Sequence, residues 1–439
     1  MTDVTFSMSA DFDRKLIWDG GKSVRYLVAR LKACRDESAA ARKRTPLNIA
    51  LVIDASGSMD GGKLEAAKKA ALGLAERLTE QDRLSVISFS SDVQVHLDGV
   101  AVTAKNRGKI VQEISKLEVR GMTCLSDGWF AGVECAAKIS EIDSTLTPRI
   151  IILSDGHANE GITDPGELRE HAAELRLRGV LTSTLGIGDG YDEQLLQGIA
   201  ESGGGRLHDA EHAVEISSVL LGELDDIFGT VIEDTQVTLT FPHDCRVEFV
   251  GSAPSKVEGN RIVAEIGPLQ HDVARAVVFK VTCPRLQSGA QLDFSALARG
   301  RSIKDDAWLV TETGTVTLVS VGETANNAQP RDSERALTVA RTWSADILAK
   351  AANLNSQREF ARAEAYTKEQ FSLFKRYVEG LAAAQEMIDE LEILTRHIGA
   401  ALSSRMHKEM VLCASVKLQH RSDHRPVSRE SWSSMLVRE

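Results

Sequence analysis

Between Leu47 and about Gly229 the chain alternates short β-branched runs with stretches of helical period, and no other feature constrains its fold so strongly. Strands are expected at Leu47–Asp54, Arg83–Ser90, Val93–Leu97, Arg149–Asp155 and Val180–Gly186, and helices at Lys63–Thr79, Leu125–Ile139, Pro165–Arg178 and Asp192–Ser202. Ile150-Ile-Ile-Leu153 is apolar throughout, as a strand must be when helices cover both faces of a parallel sheet. The segment reads as a doubly wound, Rossmann-like α/β domain. Such domains bind ligands at the carboxyl ends of their strands.

After Gly229 the period changes to two, in Thr235–Phe241, Arg246–Val250, Arg261–Ile266 and Val277–Val281, and continues through Leu292–Arg299 and Gly314–Val321. Gly259-Asn260 and Pro284 supply turns, so this part is expected to be an antiparallel β-sandwich. Residues 1–34 also alternate, at Val24, Tyr26 and Val28, yet form no domain alone. They are expected to complete the sandwich, which makes the α/β domain an insertion between its two parts. A charged segment, Arg35–Arg44, marks the first boundary. The last hundred residues are helical in pattern, with apolar stripes at Ala340, Trp343, Ile347, Ala351 and Leu354, at Phe371, Phe374, Val378 and Leu381, and at Met387, Leu391, Leu394, Ile398 and Leu402. A bundle docked on the body is expected there, with self-association into a homo-oligomer as the alternative. The expected divisions are 1–46 for N-terminal strands, 47–230 for the α/β domain, 231–322 for the sandwich, 331–402 for the helical region and 403–439 for a polar tail.

With 63 acidic against 52 basic residues the net charge is −11, which argues against nucleic-acid binding. No run of eighteen apolar residues suits a membrane span, and the N-terminus has no basic stretch followed by an apolar one, so a cytoplasmic setting is expected. The six cysteines show no C-x-x-C spacing and read as small, reduced core residues.

Asp54-Ala-Ser-Gly-Ser58 follows the first apolar strand and places one carboxylate and two hydroxyls on a tight loop. Gly121-Met-Thr-Cys-Leu-Ser126 and Leu153-Ser-Asp-Gly156 add Thr123 and Asp155 at matching positions along the chain. Oxygen-only donors suit a hard divalent cation: Mg²⁺, or Mn²⁺ or Ca²⁺. The competing reading is that Ser56 and Ser58 only cap the next helix, but capping does not account for Thr123 and Asp155.

Asp-x-Ser-x-Ser, then Thr in a Gly-x-Thr loop, then Asp after an apolar strand resembles the metal-ion-dependent adhesion site (MIDAS) of the von Willebrand factor A (VWA) family. The resemblance extends to Leu185–Leu196 and Gly203-Gly-Gly-Arg206, similar to a late strand-to-helix segment of bacterial members, and to Arg25–Leu31, similar to the strand preceding the domain in bacterial intracellular members with a flanking sandwich. It implies that Ser56, Ser58 and Thr123 ligate the ion directly, that Asp54 and Asp155 hold it mostly through water, and that a partner protein's Asp or Glu takes the remaining position. It also implies movement of the last helix of the domain, about Val214–Phe228, on ligation. His157 departs from the family pattern and reads as a solvated loop histidine, with pH sensitivity beside the ion as the other reading.

The expected function is therefore a cation-dependent adaptor rather than an enzyme, its clients including an AAA+ ATPase, a kinase or a phosphatase. An assembly component acting through the helical C-terminus is the second reading. A metal-dependent phosphohydrolase is the third, weakened because Ser56 stands where such enzymes place a second Asp. The glycines of Gly186–Gly190 lack the Lys-Ser/Thr of a phosphate loop and read as a turn.

Overall fold

The computed structural model describes residues 4–35, 45–143, 145–304, 306–419, 424 and 430–438. They fall into two compact units, one of residues 42–229 with 424–429, the other of residues 1–41, 230–423 and 430–439. The α/β domain is thus inserted in the chain of the sandwich unit. Residues 36–44 of the charged boundary segment lie outside the described residues.

The sandwich unit begins with β1 (Val4–Phe12), β2 (Leu16–Trp18) and β3 (Val24–Arg35). The α/β unit then runs β4 (Leu47–Asp54), α1 (Lys63–Arg77), β5 (Arg83–Phe89), β6 (Val93–Ala101), α2 (Ala104–Ser115), α3 (Leu125–Ile142), β7 (Thr147–Ser154), α4 (Pro165–Leu177), β8 (Leu181–Ile187), α5 (Glu193–Ser202), β9 (Gly204–Ala210) and α6 (Ile216–Gly229). Its sheet has the order β6-β5-β4-β7-β8-β9, parallel except for the antiparallel pair β5 and β6. Every residue of β4 is buried, because α1, α2 and α6 pack one face of the sheet while α3 covers the other. On α3, a Cβ at Gly132 would lie 2.5 Å from Val52 Cγ2, so the glycine lets the helix lie close on the sheet. Two elements escape the expected list. Helix α2 buries only Ile110 and Ile114, and β9 opens with Gly-Gly-Arg, which reads as a turn. Strand β6 also runs on to Ala101 beyond the expected Leu97.

The chain returns to the sandwich unit through β10 (Thr230–Thr240), β11 (Arg246–Val250), β12 (Ser255–Glu258), β13 (Arg261–Gln270), β14 (Arg275–Thr282), β15 (Gln291–Ser302), β16 (Trp308–Glu312) and β17 (Val316–Val321). One sheet has the order β1-β3-β14-β11; the other has β12-β13-β10-β15-β17-β2, with β16 on β15. N-terminal strands therefore enter both sheets. One pair, β17 with β2, is parallel, since strands so far apart in sequence are under no hairpin constraint.

Helices follow: α7 (Glu323–Ala328), α8 (Ser333–Ser356), α9 (Phe360–Val378), α10 (Gln385–His397), α11 (Ser404–Gln419) and α12 (Trp432–Arg438). Strand β3 shows what they do. Its Leu27, Ala29, Leu31 and Ala33 face the opposing sheet, while Tyr26 and Val28 pack with Ala340, Trp343 and Ile347 of α8. Strand β3 is therefore buried on both faces. Where a polar tail is expected, α11 buries Met406, Met410 and Ala414, a four-residue spacing that makes one helical face.

Candidate metal centre

The connection from β4 leads to β5 on one side of the sheet, and that from β7 leads to β8 on the other. The β4/β7 crevice is therefore the topological switch point, where open α/β sheets take their ligands. Asp54 ends β4 and Asp155 directly follows β7.

Asp54 is fully buried and its two oxygens are both engaged. Oδ1 accepts from the Ser56 backbone N–H at 2.8 Å, and Oδ2 accepts from Ser154 Oγ at 2.7 Å. Burial pushes the Asp54 carboxyl above its ordinary value, against the lowering effect of these hydrogen bonds. Ser56 Oγ lies 3.0 Å from Ser58 Oγ, which donates to Asp155 Oδ1 at 2.6 Å. The oxygens of Ser56, Ser58 and Asp155 thus run in one chain, which the Ser56 backbone N–H ties to Asp54.

The second loop is anchored separately. Gly57 N–H donates to Gly121 O at 3.2 Å, tying the Asp54–Ser58 turn to the Thr123 loop. Thr123 N–H donates to Asn159 Oδ1 at 2.9 Å, and the Thr123 carbonyl accepts from Asn159 N–H at 3.1 Å and Glu160 N–H at 3.2 Å. A Cβ built on Gly156 would stand 3.6 Å from Ser58 Oγ and 3.7 Å from Thr123 Oγ1, so both hydroxyls border the same small space. Among the described residues the Thr123 hydroxyl makes no hydrogen bond to the other four.

Three supporting residues carry no signal in the linear motif. Ser154 holds Asp54, and Asn159 holds Thr123. Lys63, at the start of α1, pairs its ammonium with Asp155 Oδ2 and donates to Ser58 O at 3.2 Å. A cation is therefore already drawn to this carboxylate. Gly190 closes the crevice from the loop after β8, where a Cβ would stand 2.9 Å from Asp155 O. Of the turn expected across Gly186–Gly190, Gly186 and Ile187 belong to β8, and the chain bends after them at Gly188, with φ +70°. His157 is exposed, with Nδ1 3.7 Å from Asp192 Oδ2.

Two carboxylates and three hydroxyls form a donor set that fits a small hard cation and offers nothing to a soft one. No group of three or more His, Cys, Asp or Glu suited to a metal occurs among the described residues, as expected when hydroxyls make up most of the set.

The sequence model of the von Willebrand factor type A domain matches residues 48–227, the span of this sheet and its helices. The inserted unit is a von Willebrand factor type A domain. An uncharacterized protein of Synechocystis is 38% identical over 174 residues, 39% of this chain and 40% of that protein. Human inter-alpha-trypsin inhibitor heavy chain H3 is 35% identical over 161 residues, 35% of this chain and 18% of that protein. The chain thus spans less than half the length of these curated relatives. Among solved structures, the von Willebrand factor type A protein from Catenulispora acidiphila shares the fold with a TM-score of 0.69 at 15% identity, over 94% of this chain and 96% of that one. The ArnB paralog VWA2 from Sulfolobus acidocaldarius has a TM-score of 0.56 at 16% identity, over 93% and 98%. The likeness in fold reaches past the type A domain into the flanking strands and helices.

Proposed function

We propose that this chain is a divalent-cation-dependent adaptor, a binding protein rather than an enzyme, whose type A domain takes an Asp or Glu of a partner protein at Asp54, Ser56, Ser58, Thr123 and Asp155. The observation that carries this reading is the run of oxygens at the switch point, with Ser58 Oγ 2.6 Å from Asp155 Oδ1 and Ser56 Oγ 3.0 Å from Ser58 Oγ. Type A domains in general mediate protein–protein interaction, which favours the same reading.

The resident ion would be Mg²⁺, or Mn²⁺ or Ca²⁺, held by Ser56, Ser58 and Thr123, with Asp54 and Asp155 acting mostly through water. When bound, it supplies a positive charge that a partner carboxylate can neutralise. The chain's own residues prepare the place. Ser154 and the Ser56 N–H fix both oxygens of Asp54, the Gly57–Gly121 hydrogen bond sets the two loops together, and Asn159 holds the Thr123 backbone. Lys63, paired with Asp155 Oδ2, would compete with a bound ion for the charge of that carboxylate. Cation and partner then strengthen each other's binding by the same factor.

The setting we propose is the bacterial cytoplasm, with an AAA+ ATPase, a kinase or a phosphatase as client. No helix among the described residues is long and apolar enough to cross a membrane.

Titration calorimetry with Mg²⁺ and Mn²⁺ tests the site directly. Wild type binds with modest affinity that increases when an acidic peptide is present, and Asp54→Ala binds neither ion. Equal heats from wild type and Asp54→Ala would overturn the assignment. Partner capture from bacterial lysate, with Mg²⁺ or with EDTA, should lose the same client on chelation and in the variant. We propose further that ligation shifts α6, read as a change in amide exchange across Ile216–Gly229. Unchanged exchange there on adding ion and peptide removes that part of the reading.

A further inference from the structure

Two of the six cysteines face one another across the end of a strand pair. In the antiparallel ladder of β11 and β14, Arg246 is opposite Thr282 and Val247 opposite Val281. One step further, the same register sets Cys245 opposite Cys283. Both lie in the core between the two sheets, with the side chains of Val247 and Val281, and are 6% and 3% exposed.

The backbone hydrogen bonds tell which kind of pair this is. Cys283 N–H donates to Ser23 O at 2.9 Å, toward β3, and Cys245 N–H donates to Pro242 O at 2.9 Å, within its own turn. Neither amide points at the opposing cysteine, so this is a non-hydrogen-bonded pair, the kind that brings side chains closest, with Cα atoms about 4.5 Å apart. A disulfide needs Cα atoms about 4.4–6.8 Å apart. Each thiol also shifts the acidity of the other, Cys245 downward and Cys283 upward. The other four cysteines have different surroundings: Cys34 faces Asp272, Cys124 faces Ser126, Cys135 lies by Asp98 and Cys413 by Lys417.

We infer that Cys245 and Cys283 are a redox-closable pair, free as thiols under reducing conditions and joined as a cross-strand disulfide by a peroxide. The Cys245 sulfur, as thiolate, attacks one peroxide oxygen. The O–O bond breaks, one water leaves and a sulfenic acid remains. The Cys283 sulfur then attacks the Cys245 sulfur, and its proton leaves with the second water. Two thiols and one hydrogen peroxide become one disulfide and two waters, with two electrons passing from sulfur to oxygen. The mutual influence of the two thiols favours Cys245 as the thiolate, while burial and its neighbour move Cys283 up. Cys245 sits at the last rung of the ladder, beside the turn from Pro242, where local opening admits the oxidant most readily.

Closure would act on both sheets. Between the two cysteines the chain leaves β11, forms β12 and β13 of the opposing sheet, and returns as β14. A bond at the base of this excursion restricts the unfolded chain and so stabilises the sandwich unit.

The test is peptide mapping of the full chain, reduced or treated with hydrogen peroxide, then denatured with iodoacetamide present and no reductant. After peroxide, the peptides carrying Cys245 and Cys283 should appear as one linked species two hydrogens lighter than their sum. In the reduced sample both should be alkylated. The oxidised sandwich unit should melt roughly 5–15 °C higher, and Cys283→Ala should abolish both the linked species and the rise. Alkylation of both cysteines after peroxide, or linkage of either to another cysteine, overturns the inference. Mapping of the wild type decides the matter even where Cys283→Ala folds poorly.

Discussion

Asp54 shows how much a single carboxylate can organise once it is buried. Its two oxygens hold Ser56 N–H and Ser154 Oγ, and through Ser56 the set continues to Ser58 and Asp155. The Asp-x-Ser-x-Ser spacing was legible in the sequence because one tight turn carries all three side chains. Ser154, Lys63 and Asn159 were not, since they reach the crevice from other elements. A second buried carboxylate lies in the same unit. Glu223 of α6 accepts from Ser183 Oγ at 2.6 Å and lies 2.7 Å from His208 Nε2 and 3.5 Å from the Arg206 guanidinium. Burial alone would raise its carboxyl, but His208, Arg206 and Ser183 outweigh that and hold it well below the usual range. A depressed carboxylate contributes stability above its unfolded value of about 4.3, and loses that contribution as the pH falls below it. Asp226 and His424 flank the same cluster. Glu223→Gln should therefore cost about 3–5 kcal/mol at neutral pH, and the gap from wild type should narrow below about pH 4. Urea denaturation at several pH values measures this; a gap that does not change with pH would show that charge is not the cause.

At the scale of elements, the helical stripes found their partner within their own unit. Ala340, Trp343, Ile347 and Ala351 of α8, with Leu391 and Leu394 of α10, are buried together with Tyr26, Val28 and Val278 of the four-stranded sheet. The seam that could have served self-association is spent on this contact, which supports the docked-bundle reading of the same residues. Trp343 sits at its centre, with ring centroids 5.8 Å from Tyr26, 5.7 Å from Phe374 and 5.8 Å from Tyr377. Asp13, also buried, links the layers as it accepts from Tyr26 N–H at 2.9 Å and from the Tyr377 hydroxyl at 3.2 Å. Trp343→Ala should destabilise the sandwich unit by about 3–5 kcal/mol. Guanidinium denaturation followed by circular dichroism would show it, and a loss below 1 kcal/mol would mean that the helices are not integral to that core.

At the scale of the whole molecule, two compact units with separate cores share one chain. On the proposed reading, an ion held in the β4/β7 crevice would stabilise the unit that holds it by about 2.7 kcal/mol when present at a hundred times its dissociation constant. Scanning calorimetry of the full chain should therefore show two transitions, of which Mg²⁺ raises one and EDTA returns it. In Asp54→Ala neither should move. A common shift of both transitions in wild type would show that the two units unfold as one.

Local pattern was enough for the α/β class, for the inserted order and for placing Asp54, Ser56 and Ser58 on one turn, because strand and helix periods and a short turn are properties of neighbouring residues. It failed at β9 and α2, where glycines or scattered apolar residues hide the period, and at α11, whose buried face lies in a stretch that reads as polar. Tertiary structure alone decided that β2 pairs in parallel with β17, that β3 is buried on both faces, that Lys63 meets Asp155, and that Cys245 stands opposite Cys283. Each of these joins positions distant in the chain, and such pairings are set by which surfaces must leave water together, a condition that no local window contains.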